Sequence, residues 1–96
     1  MQISKSMTNF IMRTFGRTDA ETVVSEIGAL DEQDFDYQDP DRIVAAILIF
    51  VMRNVTNIAG TIRSVTVDWR DLLIGAGLAD DDWPSRVEEL LNSGNK

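Results

Sequence analysis

Residues 31–41 read DEQDFDYQDPD, six carboxylates in eleven positions with Phe35 and Tyr37 set among them. Calcium chemistry needs about six to eight oxygen ligands, which clustered aspartates supply. The EF-hand register places acids at its first, third and fifth positions, glycine at the sixth and a bidentate glutamate at the twelfth. Counted from Asp34, those positions hold Asp34, Asp36, Gln38, Asp39 and Ala45, so the glycine and the final acid are both missing and no metal site is expected. Acid catalysis by a carboxylate pair requires an apolar pocket that raises one pKa, and this run reads as solvated.

The rest of the chain narrows the chemistry further. It contains no cysteine and no histidine, which excludes a disulfide framework, thiol nucleophiles, imidazole acid/base work and the ordinary zinc, copper and haem ligand sets. No glycine-rich phosphate loop, serine elbow or HExxH pattern occurs. A non-enzymatic protein without a cofactor is the expectation.

Charge is segregated. Residues 1–18 carry +3, residues 19–41 carry −9 with no basic residue, residues 42–70 carry +3 and residues 71–96 carry −4, for a total of −7. A chain of this balance repels nucleic-acid phosphates and anionic membranes and steers basic partners toward its acidic stretch. Mimicry of nucleic acid would use the same carboxylates, but a mimic displays acids on most faces and residues 42–70 are net basic. Docking on a basic protein uses them with the aromatics as anchors. In an extended segment Asp34 and Asp36 point one way and Phe35 and Tyr37 the other, so the aromatics either bury in the chain's own core and display the acids or anchor a partner inside a charged rim. The candidate partner-binding residues are therefore Asp31, Glu32, Asp34, Phe35, Asp36, Tyr37 and Asp39.

Helices must position this stretch. Ile3, Met7, Phe10, Ile11 and Phe15 recur at helical spacing, predicting helix one over residues 4–15 with Gly16 as a left-handed stop. Thr18-Asp19-Ala20-Glu21 matches a capping box, predicting helix two over 19–29 with Ala20, Val23, Val24, Ile27 and Leu30 inward. Asp39-Pro40 supplies a cap and a first-turn proline for a central helix over about 41–60, which ends at Gly60 or runs on to Ser64. Its run from Ile43 to Met52 is apolar on every face, so it must be surrounded by the other helices or by a second copy of the chain. Ten apolar residues rise only about 15 Å against a hydrocarbon core of about 30 Å, and Arg42 and Arg53 bound them, so no membrane span is expected.

Val65-Thr66-Val67 reads as an extended connector, with a Val67 to Leu72 staple across the Asp68 cap of a helix over 69–76 that stops at Gly77. A last helix opens at Asp80-Asp81-Asp82-Trp83-Pro84, turns Trp83, Val87, Leu90 and Leu91 to one face and ends before Gly94. Asp68-Trp69 and Asp82-Trp83 echo each other fourteen residues apart as two helix starts with tryptophan anchors. Arg53 and Arg63 are candidates to pair with acids of residues 19–41.

Asp80-Asp81-Asp82-Trp83-Pro84-Ser85, a short amphipathic helix and then Asn95-Lys96 resemble the end of nuclease-colicin immunity proteins, small acidic four-helix inhibitors of basic nucleases. The likeness implies an acidic helical inhibitor. The paired-tyrosine helix of that family has no counterpart in this chain, and no binding residue is carried over.

The expectation is one all-α domain over residues 1–96, a bundle of four to five helices around the apolar central one. Residues 1–18 lack a continuous apolar stretch and a cleavage site, so a cytoplasmic location is expected. The expected function is protein–protein interaction, as a homo-oligomer formed through apolar helix surface or as the acidic subunit docking on a basic partner, with no direct contact to nucleic acid. The alternative is an inhibitor or nucleic-acid mimic that blocks a basic nucleic-acid-binding protein.

Overall fold

A computed structural model describes residues 1–92, among which the chain forms six α-helices and no strand. They are α1 (Lys5–Thr14), α2 (Arg17–Gly28), α3 (Pro40–Arg53), α4 (Ile58–Val65), α5 (Trp69–Ala76) and α6 (Trp83–Asn92). Short 3₁₀ turns occupy Glu32–Phe35 and Val55–Asn57. The architecture is the all-helical bundle that the pattern predicts, with six helices in place of four or five.

Helix α3 is its axis. The Asp39 carboxylate accepts the Asp41 N–H at 2.9 Å, and Pro40 takes the first position, where its missing N–H costs nothing. Ile43 to Leu48 are six consecutive buried residues, more than one helix face can hold, and Val51 is buried one turn on. Helices α1, α4, α5 and α6 surround α3, and α2 closes over α1 and α4. The apolar run is thus covered by its own chain, with only Ile49, Phe50 and Met52 partly exposed. The radius of gyration, 12.1 Å, agrees with the roughly 12.5 Å of a single domain of this length.

The central helix is shorter than its composition predicts. It stops at Arg53, and α4 leaves at 102° to α3. Asn54 adopts φ −146°, ψ 70° and accepts the Thr56 hydroxyl at 3.0 Å on Oδ1. Asn57 Oδ1 then caps α4 by accepting the Gly60 N–H at 3.3 Å. Two asparagines that satisfy backbone or neighbouring groups locally, around the β-branched Val55 and Thr56, outcompete continuation of the helix. Gly60 neither ends a helix nor sits mid-helix. It stands in the first turn of α4, where a Cβ would lie 2.5 Å from Asn57 Nδ2, so the glycine makes room for the cap. No single helix among the described residues is long and apolar enough to cross a membrane.

Three smaller expectations are corrected. Gly16 is extended at φ −62° and precedes α2 directly, because Phe15 turns into the core as α1 ends. Helix α2 therefore starts at Arg17, Thr18 falls inside its first turn, and no side-chain cap forms there. Val67 is 85% exposed and makes no staple on buried Leu72. The capping of α5 by Asp68, whose carboxylate accepts the Arg70 N–H at 3.0 Å, and its stop at Gly77 agree with the pattern. Val87 of α6 is buried, with Trp83, Leu90 and Leu91 half-buried around it, whereas the proposed stop at Gly94 lies outside the described residues.

Candidate interaction surface

The acidic stretch folds as one 3₁₀ turn closed by a reversal of the chain. Asp31 Oδ1 accepts the Gln33 N–H at 2.9 Å and starts the turn. The Asp36 N–H then donates to Gln33 O at 3.1 Å and the Tyr37 N–H to Glu32 O at 3.2 Å. This is the Schellman pattern of paired bonds, with Asp36 in the left-handed position that normally holds glycine. Asp36 has φ 52°, ψ 38°, and Tyr37 follows at φ 54°. Two successive non-glycine residues are held left-handed, each at a cost of roughly 1–2 kcal/mol, less for aspartate, whose short polar side chain tolerates the region.

The left-handed pair also parts the two aromatics. Phe35 is 1% exposed and joins the core, while Tyr37 is 71% exposed. The expected alternation, with both aromatics on one side, needs an extended strand; the 3₁₀ turn and its reversal put the rings on opposite sides. Phe35 thus leaves the candidate surface and acts as the anchor that fixes the turn.

Of the remaining candidates, Asp31 and Asp39 have structural duties, the first capping the 3₁₀ turn and the second capping α3. Glu32 is half-buried. Asp34 and Asp36 are exposed and accept no hydrogen bond from the described residues through their carboxylates, and none of the six acids of residues 31–41 forms an ion pair with a described basic residue. Asp34, Asp36 and Tyr37 are the residues left free to face a partner. Arg63 does reach the acidic half of the chain, meeting Glu26 at 3.2 Å, but Arg53 does not; its guanidinium lies 5.4 Å over the Phe50 ring.

Arg42 holds the turn in place and is the residue that pattern reading missed. Its Nε donates to Leu78 O at 2.9 Å, Nη2 to Ala79 O at 3.0 Å and Nη1 to Gln38 Oε1 at 3.3 Å, with the guanidinium 5.5 Å over the Trp83 ring. One planar fork therefore ties the end of the acidic turn to the turn after α5 and the start of α6, a geometry that lysine cannot reproduce. The available signal was position: an arginine three residues into an apolar helix, where a bare charge would be expensive to bury.

The described residues bury no polar or charged side chain and bring together no group of three or more acids with metal-ligand geometry. At the other end of α3 two adjoining hollows share Phe50, Ser64 and Val65. One, of about 390 Å³, is completed by Arg53, Asn54, Asn57, Gly60 and Thr61; the other, of about 230 Å³, by Val67, Asp68, Asp71 and Leu72. At the start of α6 the backbone carbonyl of Asp80 accepts the Trp83 N–H, that of Asp82 accepts from Ser85 and Arg86, and the Asp82 carboxylate accepts from Arg86 Nε at 3.0 Å. No protein-family model matches this chain, no curated protein matches its sequence and no solved structure matches its fold.

Proposed function

We propose that this chain is a non-enzymatic interaction module whose acidic turn docks on a basic protein surface. One observation carries the reading: Tyr37 projects, mostly exposed, from a left-handed turn fully bonded through its backbone and anchored by buried Phe35. Tyrosine has only two side-chain torsions to fix on binding, and it is enriched among the residues that dominate interface energies. The unpaired carboxylates of Asp34 and Asp36 beside it supply long-range attraction for a cationic partner and discrimination against others. The absence of buried polar side chains among the described residues favours binding over catalysis. Charge segregation, −9 over residues 19–41 against +3 over residues 42–70, favours docking over mimicry of a nucleic-acid backbone.

The test is capture of proteins on the immobilised chain, with each bound species identified by mass spectrometry. Asp34→Lys with Asp36→Asn, whose side chain also tolerates the left-handed region, and separately Tyr37→Ala, leave the melting transition in place and remove the identified basic partner. Capture that survives all three changes overturns the assignment of this turn. Asp39 is left untouched, because its reversal would also uncap α3.

A further inference from the structure

We infer that one basic surface matched to the acidic turn belongs to a second copy of the same chain: the hollow at the C-terminal end of α3 receives Tyr37 of a neighbour, giving head-to-tail association. The inference rests on the docking role proposed for that turn.

Three features converge on it. The first is placement. The turn precedes Pro40 and the hollow is lined by Phe50 and Arg53, so the two surfaces lie near opposite ends of one helix, separated by about 15 Å or more of helical rise. They cannot meet within one molecule, and contact between them requires two. The second is chemistry. The hollow of about 390 Å³ is lined by apolar Phe50 and Val65, polar Asn54, Asn57, Thr61 and Ser64, and one charged residue, Arg53. An exposed phenol with Asp34 and Asp36 beside it is its complement: a carboxylate draws the Arg53 guanidinium off the Phe50 ring, the phenol ring takes its place against the apolar lining and the hydroxyl meets an amide. Asp68 and Asp71 line only the adjoining hollow, which confines the acidic turn to the Arg53 side. The third is ion pairing: among the described residues neither Asp34 and Asp36 nor Arg53 has an ion-pair partner of its own. Seating the acidic turn on Arg53 sets an opposite charge against the repulsion that a net charge of −7 imposes on self-association.

A contact between two different patches is heterologous, so it extends beyond a pair unless the rotation closes a ring. That property gives a test which an ordinary two-fold dimer fails. Sedimentation velocity at low salt and rising concentration is expected to show the wild-type chain growing from monomer to species larger than dimer, with growth suppressed by added salt. Tyr37→Ala breaks one patch and Arg53→Glu the other, both at exposed side chains, and each weakens self-association by about tenfold or more. An equimolar mixture of the two variants restores association, because each retains the patch the other lacks, and it stops at a 1:1 dimer. Asp36→Asn serves as a second variant of the acidic side.

A wild-type chain that stays monomeric across the range overturns the inference, as does either variant assembling like the wild type or a mixture in which no dimer forms. Failure here is separable from failure of the docking role. If the chain is monomeric yet Tyr37→Ala still loses an identified basic partner, the second-copy inference falls and the acidic turn remains a docking surface. If neither readout responds to Tyr37, both fall.

Discussion

Two turns in this molecule share one hydrogen-bond pattern and differ in almost everything else. After α5, the Gly77 N–H donates to Ile74 O and the Leu78 N–H to Leu73 O, the same pair of bonds that closes the acidic turn at Asp36 and Tyr37. In the α5 turn the left-handed position is glycine at φ 77°, and the next residue, Leu78, is 1% exposed, packed into the core. This is how the motif ordinarily stabilises a helix end: an unstrained reversal followed by a hydrophobic contact. In the acidic turn the left-handed position is aspartate, the following tyrosine is left-handed as well, and its ring faces outward. Strain is accepted there and the burial that would offset it is forgone. Identical backbone bonding with opposite use of the side chain separates a turn that serves the fold from one that displays a side chain, and the surface role proposed for the second fits the tendency of residues held in costly conformations to cluster at functional sites.

The comparison is broken most directly by shortening the side chain at the same position in each turn. Leu78→Ala is expected to cost about 2–5 kcal/mol in chemical denaturation, the range for buried leucine. Tyr37→Ala should cost under about 0.5 kcal/mol, since an exposed side chain away from any cap or cavity contributes little. Similar losses at both sites would mean that Tyr37 stabilises the fold and has no outward role. Gly77→Ala comes next. A Cβ there meets nothing within 4 Å, so the cost is conformational alone, about 1 kcal/mol, read as a fall in the denaturant midpoint at constant slope. The smallest effect is Asp36→Gly, where relief of left-handed strain outweighs the added freedom of the unfolded chain. A gain of about 0.5 kcal/mol is expected, with partner capture reduced by loss of the carboxylate. A loss of stability at Asp36→Gly would show that the aspartate side chain holds the turn together.

The sequence made most helix starts legible because their chemistry is local. Asp39-Pro40 and Asp68 cap helices by bonding the backbone two residues ahead, a pattern visible without any tertiary context. The apolar run of α3 likewise required enclosure on all sides. What escaped was decided by competition or distance. The break at Asn54 follows from asparagine side chains competing with the helix, while the apolar positions at Ile58 and Ile62 continue the helical period straight through it. The capping box at Thr18 lost to a helix start set by the burial of Phe15. At the acidic turn, composition located the surface, but the inward course of Phe35 and the outward one of Tyr37 depend on a bonded reversal that strand alternation cannot describe. Arg42 was illegible because its partners, Leu78 and Ala79, lie 36 and 37 residues away.

The core has a weakness that these distant contacts answer. Among the described residues it contains only apolar side chains, so alignment within it is set by shape alone, with no directional bond to penalise a displaced helix. Outside the core, arginines reach from one helix to another element far along the chain: Arg13 to the carbonyl of Leu91, Arg63 to Glu26, and Arg42 to the turn after α5. Each is a directional contact satisfied in one alignment and lost in its neighbours. The apolar interior thus supplies cohesion, and a few peripheral guanidinium groups supply uniqueness, so the alignment of the bundle is written on its exterior.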